Sequence, residues 1–218
     1  MERRDRRDAE HLRLLLAVSL SADSNCIDVG AHKGSVLEQV VHLAPEGRHI
    51  AYEPLPYLHE RLVARFPGVD VRRAALSDRD GRATFTHVKT DPAYSGFRER
   101  AYPRAEALET IEVRTERLDD VLPSGFVPHL IKIDVEGAER EVLAGAIDTI
   151  RTHRPIVVFE HGMGASEYYG THPSHVFDLL RCDAGLRIFD LDGGGPYDRR
   201  EFESIFRRGG IWNFVARA

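Results

Sequence analysis

The stretch CIDVGAHKGSVLEQVV, residues 26–41, decides the fold of this chain. It begins with a short apolar run that contains an acid, Asp28. Gly30 and Gly34 separate this run from a segment whose apolar residues recur at helical spacing. The pattern predicts a buried strand, a tight turn and a helix. In an open α/β sheet, ligands bind beyond the carboxyl ends of the strands, where such a turn lies.

Strand and helix patterns alternate along the rest of the chain. Further strands are predicted at 48–54, 69–76, 82–88, 110–115, 127–135, 155–161, 185–191 and 211–217. Helices are predicted at 9–20, 35–44, 57–66, 117–122, 138–150 and 172–182, the last with Ser174 as its cap. The glycine run at 192–196 predicts a loop between the last two strands. This alternation predicts an α/β fold with a mostly parallel sheet and helices on both faces.

Length and composition are those of an ordinary globular protein. The chain has 218 residues, of which 42% are apolar and 30% charged, which suits one α/β domain with a substantial core. We expect a first helix within residues 1–24 to pack on a domain that spans 25–218. The formal net charge of −5 gives no general attraction to nucleic acid or to an anionic membrane.

Neither a zinc site nor a membrane span is expected. Cys26 and Cys182 lie far apart and belong to no Cys-x-x-Cys or Cys/His cluster. The apolar run at 12–20 is too short to cross a bilayer, and it contains Arg13. We therefore expect a cytoplasmic protein with reduced thiols.

The acids at the predicted strand ends favour S-adenosylmethionine as the ligand. The turn has the pattern Asp28-x-Gly30-x-x-x-Gly34, which is not the Gly-x-Gly-x-x-Gly pattern of a dinucleotide site. An acid there suits a ligand that carries a cationic group or hydroxyls, and this cofactor carries both. Glu53, followed by Pro54, ends the second predicted strand, where a carboxylate can accept hydrogen bonds from ribose hydroxyls.

Polar residues also follow two later strands of the predicted sheet. Ser77 and Asp78 come after the third strand, where they can reach an adenine ring. FEHG, residues 159–162, places Glu160 and His161 at the end of a buried strand, on the same rim. A histidine at a strand end beside other polar residues is a candidate general base.

The segment IKIDVEGAE, residues 131–139, is an apolar strand with embedded charges. Lys132 and Asp134 share one face of the strand because side chains alternate, and Glu136 lies in the turn that follows. Such charges are costly to bury unless they are paired. We expect His161, Asp134 or Glu136 to accept the proton of an acceptor and Lys132 to stabilise charge or orient the acids. Asp134, Glu136 and His161 form an alternative site for a divalent ion, which we do not expect.

The segments IDVGAHKG, YEP, ALSDRDG, LIKIDVEGAEREVLAG and PIVVFEHG follow one another in this order. Together they resemble the FkbM family of S-adenosylmethionine-dependent methyltransferases over roughly residues 25–162, and KIDVEGAE is the most specific part. The resemblance implies the class I, Rossmann-like methyltransferase fold with a seven-stranded sheet. It also implies O-methylation of a hydroxyl on a sugar, a polyketide or a related small metabolite.

The resemblance implies residue roles by position. Asp28 would belong to the cofactor turn, Glu53 would hold the ribose, Asp78 would lie near the adenine, and Asp134 would lie beside the methyl group and the acceptor. His32 and Lys33 depart from the family pattern, which often has Asn and a variable residue there, so contact of Lys33 with the cofactor carboxylate stays open. The expected cofactor-binding residues are Asp28, Gly30, Lys33, Gly34, Glu53, Pro54, Ser77, Asp78 and Asp134. The expected catalytic residues are Lys132, Asp134, Glu136 and His161.

The segment at 89–110 is the candidate for acceptor selection. It has no clear period and offers Tyr94, Ser95 and Phe97, so it is predicted to be a long loop or lid. The expected partner is a small-molecule hydroxyl acceptor, with a homodimer as a further candidate and neither nucleic acid nor a membrane. Two other functions stay open: a non-catalytic S-adenosylmethionine-binding partner protein, and a nicotinamide-dependent oxidoreductase.

Overall fold

A computed structural model describes residues 2–102 and 104–218 of the chain. The strands are β1 Cys26–Val29, β2 His49–Tyr52, β3 Asp70–Arg72, β4 Ala75–Leu76, β5 Gly81–Val88, β6 Leu108–Glu116, β7 Leu130–Ile133, β8 Ile156–Glu160, β9 Arg187–Asp190 and β10 Asn213–Arg217. The helices are α1 Glu2–Ser19, α2 Ser35–Leu43, α3 Pro56–Arg65, α4 Leu118–Val121, α5 Glu139–Ala144, α6 Ile147–His153, α7 Pro173–Asp178 and α8 Arg199–Arg208. Among the described residues, no helix combines the length and the apolarity needed to cross a bilayer.

The central sheet has seven strands in the order β3-β2-β1-β7-β8-β10-β9. The first five strands in this order run parallel, and β10 runs antiparallel to both of its neighbours. This arrangement confirms the predicted α/β class and the mostly parallel seven-stranded sheet. The chain order changes direction between β1 and β7, and ligands of open α/β sheets bind at such a switch point.

Both faces of the sheet are covered by helices, which explains why its central strands are apolar on both sides. Ile27 and Ile131 lie fully buried in the main core on one face. On the other face, α1 contributes Leu12, Leu15 and Leu16 to a second cluster above β1, β7 and β8. These leucines recur three and four residues apart and therefore share one side of the helix.

The prediction of one continuous strand over 69–76 is wrong. β3 ends at Arg72, and β4 leaves the central sheet to form a second, three-stranded sheet in the order β4-β6-β5. The buried Ala74 lies between the two pieces. Propensity is nearly uniform over the whole stretch, so only its pairing with the distant β6 divides it.

The single helix predicted over 138–150 is also divided. α5 ends at Ala144, and α6 begins at Ile147. A Cβ atom on Gly145 would lie 1.9 Å from the carbonyl oxygen of Ser77. The chain therefore passes so close to this turn that only glycine fits between the two helices.

The loop predicted between the last two strands contains a helix, α8, that the prediction missed. Asp198 caps it by accepting from the backbone N–H of Glu201, whose side chain accepts from the backbone N–H of Asp198 in return. Phe202 and Phe206, four residues apart, are buried. The capping box and this spacing are visible in the sequence. The prediction missed them because the glycine run at 192–196 just before them indicates a loop.

The helix predicted over 172–182 has a different N-cap residue, and its winding changes after Asp178. His172, not Ser174, is the N-cap, because its ring accepts from the backbone N–H of Ser174. α7 ends at Asp178, and a wider helical turn continues over Leu179–Asp183.

We predict that Gly145→Ala lowers the free energy of unfolding by about 1–3 kcal/mol, the usual cost of forcing extra volume into a packed site. Its backbone angles, φ −80° and ψ −4°, suit alanine, so the loss would come from the Ser77 contact alone. Urea denaturation of the two proteins measures the difference. Gly68→Ala is the control, since a Cβ there meets nothing within 4 Å. Equal midpoints for all three proteins would contradict the prediction.

Candidate active site

Two adjoining cavities open at the carboxyl ends of the parallel strands, and Glu136 lines both. The first cavity lies at the ends of β1, β2 and β7, and its lining includes Gly30, Glu53, Pro54, Phe85, Asp134 and Glu136. The second cavity lies at the ends of β7 and β8 and reaches β10, and its lining includes Asp5, Tyr94, Arg100, Glu136, Glu160 and Trp212. The first cavity therefore occupies the switch point of the sheet, and the second continues from it.

The turn after β1 brings the backbone of two strands together. Gly30 has φ +80°, and a Cβ atom there would lie 1.9 Å from the carbonyl oxygen of Asp134. The backbone N–H groups of Gly30 and Ala31 both donate to the carbonyl of Tyr52, at 3.1 and 3.0 Å. Glycine is therefore required here by the close approach of the β7 end, which shapes the cavity floor.

Glu53 is a buried carboxylate at the first cavity that two backbone N–H groups hold in place. It is 4% exposed. One oxygen accepts from the backbone N–H of His32 at 2.8 Å and the other from that of Leu55 at 2.9 Å. Burial raises the pKa of Glu53 to about 7, although both backbone hydrogen bonds oppose the shift. Each oxygen keeps a further lone pair that can accept from a bound hydroxyl.

Lys132 lies between two carboxylates under the cavities. Its Nζ is 3.0 Å from Oδ2 of Asp134 and 3.8 Å from Oδ1 of Asp28. Burial favours the neutral amine, but Asp134 and Asp28 outweigh it and raise the pKa of Lys132 above its usual value. Burial also raises the pKa of Asp28, against the influence of Lys132. Neither Asp28 nor Lys132 lines either cavity. Lys132 contacts the lining of the first cavity through Asp134.

Glu136 lies in a strained turn between the two cavities. It adopts φ +57°, which is uncommon for a residue with a side chain, and Gly137 follows with φ +107°. Its carboxylate pairs with Arg100 of the loop, whose guanidinium also donates to the Gly164 carbonyl at 3.2 Å. Burial and the neighbouring Asp134 raise the pKa of Glu136 to about 8, while Arg100 lowers it.

His161 lies behind the second cavity and lines neither cavity. Its ring is 1% exposed and packs against two phenylalanines of α8. Its Nδ1 is 3.1 Å from Oγ of Ser166 and 3.6 Å from a carboxylate oxygen of Glu139. Glu139 in turn accepts from the backbone N–H of Gly137 at 2.8 Å. This chain of contacts supports the turn that carries Glu136.

Besides Asp28, four residues expected at the cofactor lie outside the lining of the first cavity. A Cβ on Gly34 would lie 2.7 Å from the ring of Phe66, so its lack of a side chain serves packing. Lys33 borders a separate groove beside α3. Ser77 donates to Asp78 at 3.2 Å, and both residues lie outside the lining of the two cavities.

Residues 91–101 of the segment predicted to be a loop contribute to the lining of both cavities. Ser95 and Phe97 line the first cavity, and Tyr94 lines the second. The backbone N–H of Phe97 donates to the hydroxyl of Tyr169 at 2.9 Å, which ties the segment to the loop after β8.

The acids and the histidine at these strand ends were also considered in the sequence as ligands of a divalent ion. Within residues 2–102 and 104–218, no group of three or more His, Cys, Asp or Glu side chains is arranged to hold a metal ion. The set of Asp134, Glu136 and His161 is not brought together, because His161 lies behind the cavity wall and Glu136 pairs with Arg100.

Glu160, at the end of β8, lines the second cavity, as its strand-end position in FEHG predicts, although no role was assigned to it. Burial together with Asp134 raises its pKa well above the usual value. Other residues of the cavities had not been expected from the sequence. Arg100, Asp5 and Trp212 come from distant parts of the chain, and no local pattern marks them.

A comparison with protein-family models identifies the family of this chain. The model described as the methyltransferase FkbM domain matches residues 28–188. The chain belongs to the FkbM methyltransferase family. This confirms the resemblance found in the sequence, and the matched region contains all residues that line the first cavity.

Three curated proteins are similar in sequence to this FkbM-family chain. It is 29% identical to the AMB antimetabolite synthetase AmbE of Pseudomonas aeruginosa over 66% of this chain but only 9% of that protein. It is 27% identical to the 2-O-methyltransferase NoeI of Sinorhizobium fredii, over 77% of this chain and 75% of NoeI. It is also 27% identical to the hexuronic acid methyltransferase AglP of Haloferax volcanii, over 81% and 70% of the two chains.

A solved structure supports the same fold. The methyltransferase FkbM of Methylobacillus flagellatus superposes with a TM-score of 0.57 at 17% identity, over 90% of this chain and 44% of that one. This chain therefore spans less than half of that protein.

We predict that Lys132→Met lowers the free energy of unfolding by about 3–5 kcal/mol, because it leaves carboxylates buried without their cation. Chemical denaturation at neutral pH measures the loss. Adding Asp28→Asn should restore part of it, since the uncompensated charge is then removed. A double variant that is less stable than Lys132→Met would contradict this reading of the cluster.

Proposed function

We propose that this FkbM-family chain is an S-adenosylmethionine-dependent O-methyltransferase that acts on a hydroxyl group of a small molecule. The observation that carries the proposal is Glu53. Its carboxylate is fixed at the end of β2 by two backbone N–H groups and lines the first cavity beside the turn after β1. A carboxylate in this position suits the two hydroxyls of a ribose.

The residues of the first cavity fit this cofactor in chemistry as well as in position. Leu76 and Phe85 offer apolar surface that suits an adenine ring. Asp134 and Glu136 offer carboxylates, which suit the cofactor's positively charged sulfonium and ammonium groups. Asp28 would support this edge from below through Lys132.

When bound, S-adenosylmethionine supplies a methyl group on a positively charged sulfur that an oxygen nucleophile can displace. The protein must then align the acceptor hydroxyl, exclude water and accept one proton. Glu136 is the proposed proton acceptor, because it lines both cavities and its raised pKa lies close to the working pH of a general base. Lys132 would hold Asp134 in place beside it through their ion pair.

The second cavity is the proposed acceptor site. It adjoins the first at Glu136 and contains Tyr94 and Trp212, whose rings suit stacking on a cyclic acceptor. The names of NoeI, a 2-O-methyltransferase, and AglP, a hexuronic acid methyltransferase, favour oxygen as the methylated atom and a sugar-like acceptor. His161 would serve to position the Glu136 turn and would not itself accept the proton.

We predict that S-adenosylmethionine binds and that Glu53→Gln weakens it about 10- to 100-fold, the effect of losing a charged hydrogen-bond acceptor. Calorimetric titration measures the dissociation constant. The pKa of Glu53 is raised to about 7, and the ionised form is the better acceptor. Affinity should therefore fall as the pH drops below about 7 in the native chain, but not in the variant.

The control for this experiment is Glu112→Gln, which removes the same charge from an exposed site on β6. It should leave both the affinity and its pH dependence unchanged. Equal weakening by the two variants would remove Glu53 from the site. Binding of the cofactor without transfer to any hydroxyl acceptor would favour the non-catalytic cofactor-binding protein.

We predict that the carboxyl group of Glu136 titrates with a midpoint of about 8. A general base acts when ionised, so methyl transfer should rise with pH through this midpoint and then level off. Carbon NMR of protein with labelled glutamate carboxyls measures the midpoint, and Glu136→Gln assigns the signal. Arg100→Gln should raise the midpoint further, because it removes the cation that stabilises the ionised form. A midpoint near that of a free glutamate would contradict the assignment.

A further inference from the structure

The two cavities differ in which parts of the chain build them. The first is formed by residues between 29 and 136, all within the segment that the family model matches. The second also uses residues that lie outside 28–188, among them Asp5 of α1 and the segment 209–212 that leads into β10. The wall contributed by these outer segments therefore lies outside the family domain that the model matches.

Ion pairs and hydrogen bonds join the outer segments to each other. Asp8 of α1 accepts from the side-chain amide of Asn213 at 3.0 Å. Arg4 and Arg7 both donate to Asp192, each at 2.9 Å. The leucine face of α1 packs on the sheet below. These contacts place Asp5, one turn from Asp8, beside the second cavity.

Trp212 is fixed at the opposite side of this wall. Its carbonyl accepts from the backbone N–H of His161 at 2.7 Å. A Cβ atom on Gly162 would lie 3.0 Å from Cβ of Trp212, so the two segments are in close contact. Trp212 is the single tryptophan of the chain. A lining tryptophan offers a rigid surface for the apolar face of a ring.

The charge of the second cavity is one-sided. Its acidic lining residues come from separate elements and are Asp5, Asp91, Glu136, Glu139 and Glu160. Among the lining residues that the structure describes, Arg100 is the single cation, and it already pairs with Glu136 and the carbonyl of Gly164. Burial raises the pKa values of Glu136 and Glu160, and Glu139 contacts the buried His161. The acids left to face an acceptor are therefore Asp5 and Asp91, and a carboxylate or phosphate would approach like charges there.

We propose that Asp5 and Trp212 form an acceptor-selecting wall, and that this wall admits a hydroxylated ring without negative charge. The ring stacks on Trp212, and Asp5 disfavours anions and attracts an ammonium group. This inference rests on the proposed function for the identity of the second cavity. It goes further in naming the selecting residues and the charge class, which excludes a free uronic acid as the preferred acceptor.

Fluorescence of Trp212 tests the inference directly, because no other tryptophan contributes to the signal. The chain is titrated with methyl glucopyranoside, glucosamine and glucuronate at one ionic strength, with and without S-adenosylhomocysteine. The neutral and cationic probes should change the emission saturably. The affinity for glucuronate should be lower by a factor of about ten or more. Equal or tighter binding of glucuronate, or no change with any probe, overturns the proposal.

A charge reversal in the wall provides the second arm. Asp5→Arg should tighten glucuronate and weaken glucosamine. Glu10→Arg makes the same charge change on an exposed position of α1 outside the cavity lining and should alter neither. Equal effects of the two variants would indicate a general field and overturn the role of Asp5.

Calorimetry with S-adenosylhomocysteine on the same samples separates the two levels of inference. Binding of this nucleoside without any fluorescence response to the sugars would leave the proposed function intact and refute the wall. Failure of the nucleoside to bind would count against the proposed function, while the sugar titrations would still decide the charge preference of the cavity.

Discussion

The buried ammonium of Lys132 and its two carboxylates form the interaction on which the active-site region depends. The side chain of Lys132 is only 12% exposed. Its charge needs partners because most of its hydration is lost. Asp28 supplies one from β1, in register with Lys132 on β7, and Asp134 supplies the other from the end of β7 itself. The cluster therefore joins the two strands at the point where the sheet changes direction, and it holds a carboxylate at the edge of the first cavity.

The turns above this cluster are shaped by close backbone contacts. Gly30 allows the end of β7 to approach, and Gly137 with Glu136 takes left-handed backbone angles next to it. Glu139 holds the N–H of Gly137, and His161 stands behind Glu139. The spacing of charges within IKIDVEGAE thus has two physical uses here: the strand residues neutralise one another, and the turn residues direct Glu136 toward both cavities.

Burial leaves several carboxyl groups of the site with pKa values close to neutrality. Glu53 has a pKa of about 7 and Glu136 of about 8, and in both cases burial is the largest cause. The surroundings then differ. Two backbone N–H groups hold Glu53 as an acceptor, whereas an ion pair joins Glu136 to Arg100 in the segment after β5. One environment suits the binding of hydroxyls, and the other suits the exchange of a proton.

The sequence by itself determined the alternation of strands and helices, the mostly parallel α/β class and the strand-end positions of Glu53, Asp134 and Glu136. These follow from apolar period, turn residues and side-chain alternation, which are local properties. Only the tertiary structure decided that Gly34 serves packing, that Ser77 and Asp78 lie away from the cavities, and that His161 lies behind the wall. It alone brought Asp5, Arg100 and Trp212 together, because cavity walls arise from the packing of segments far apart in the chain, and no local pattern records which segments will meet.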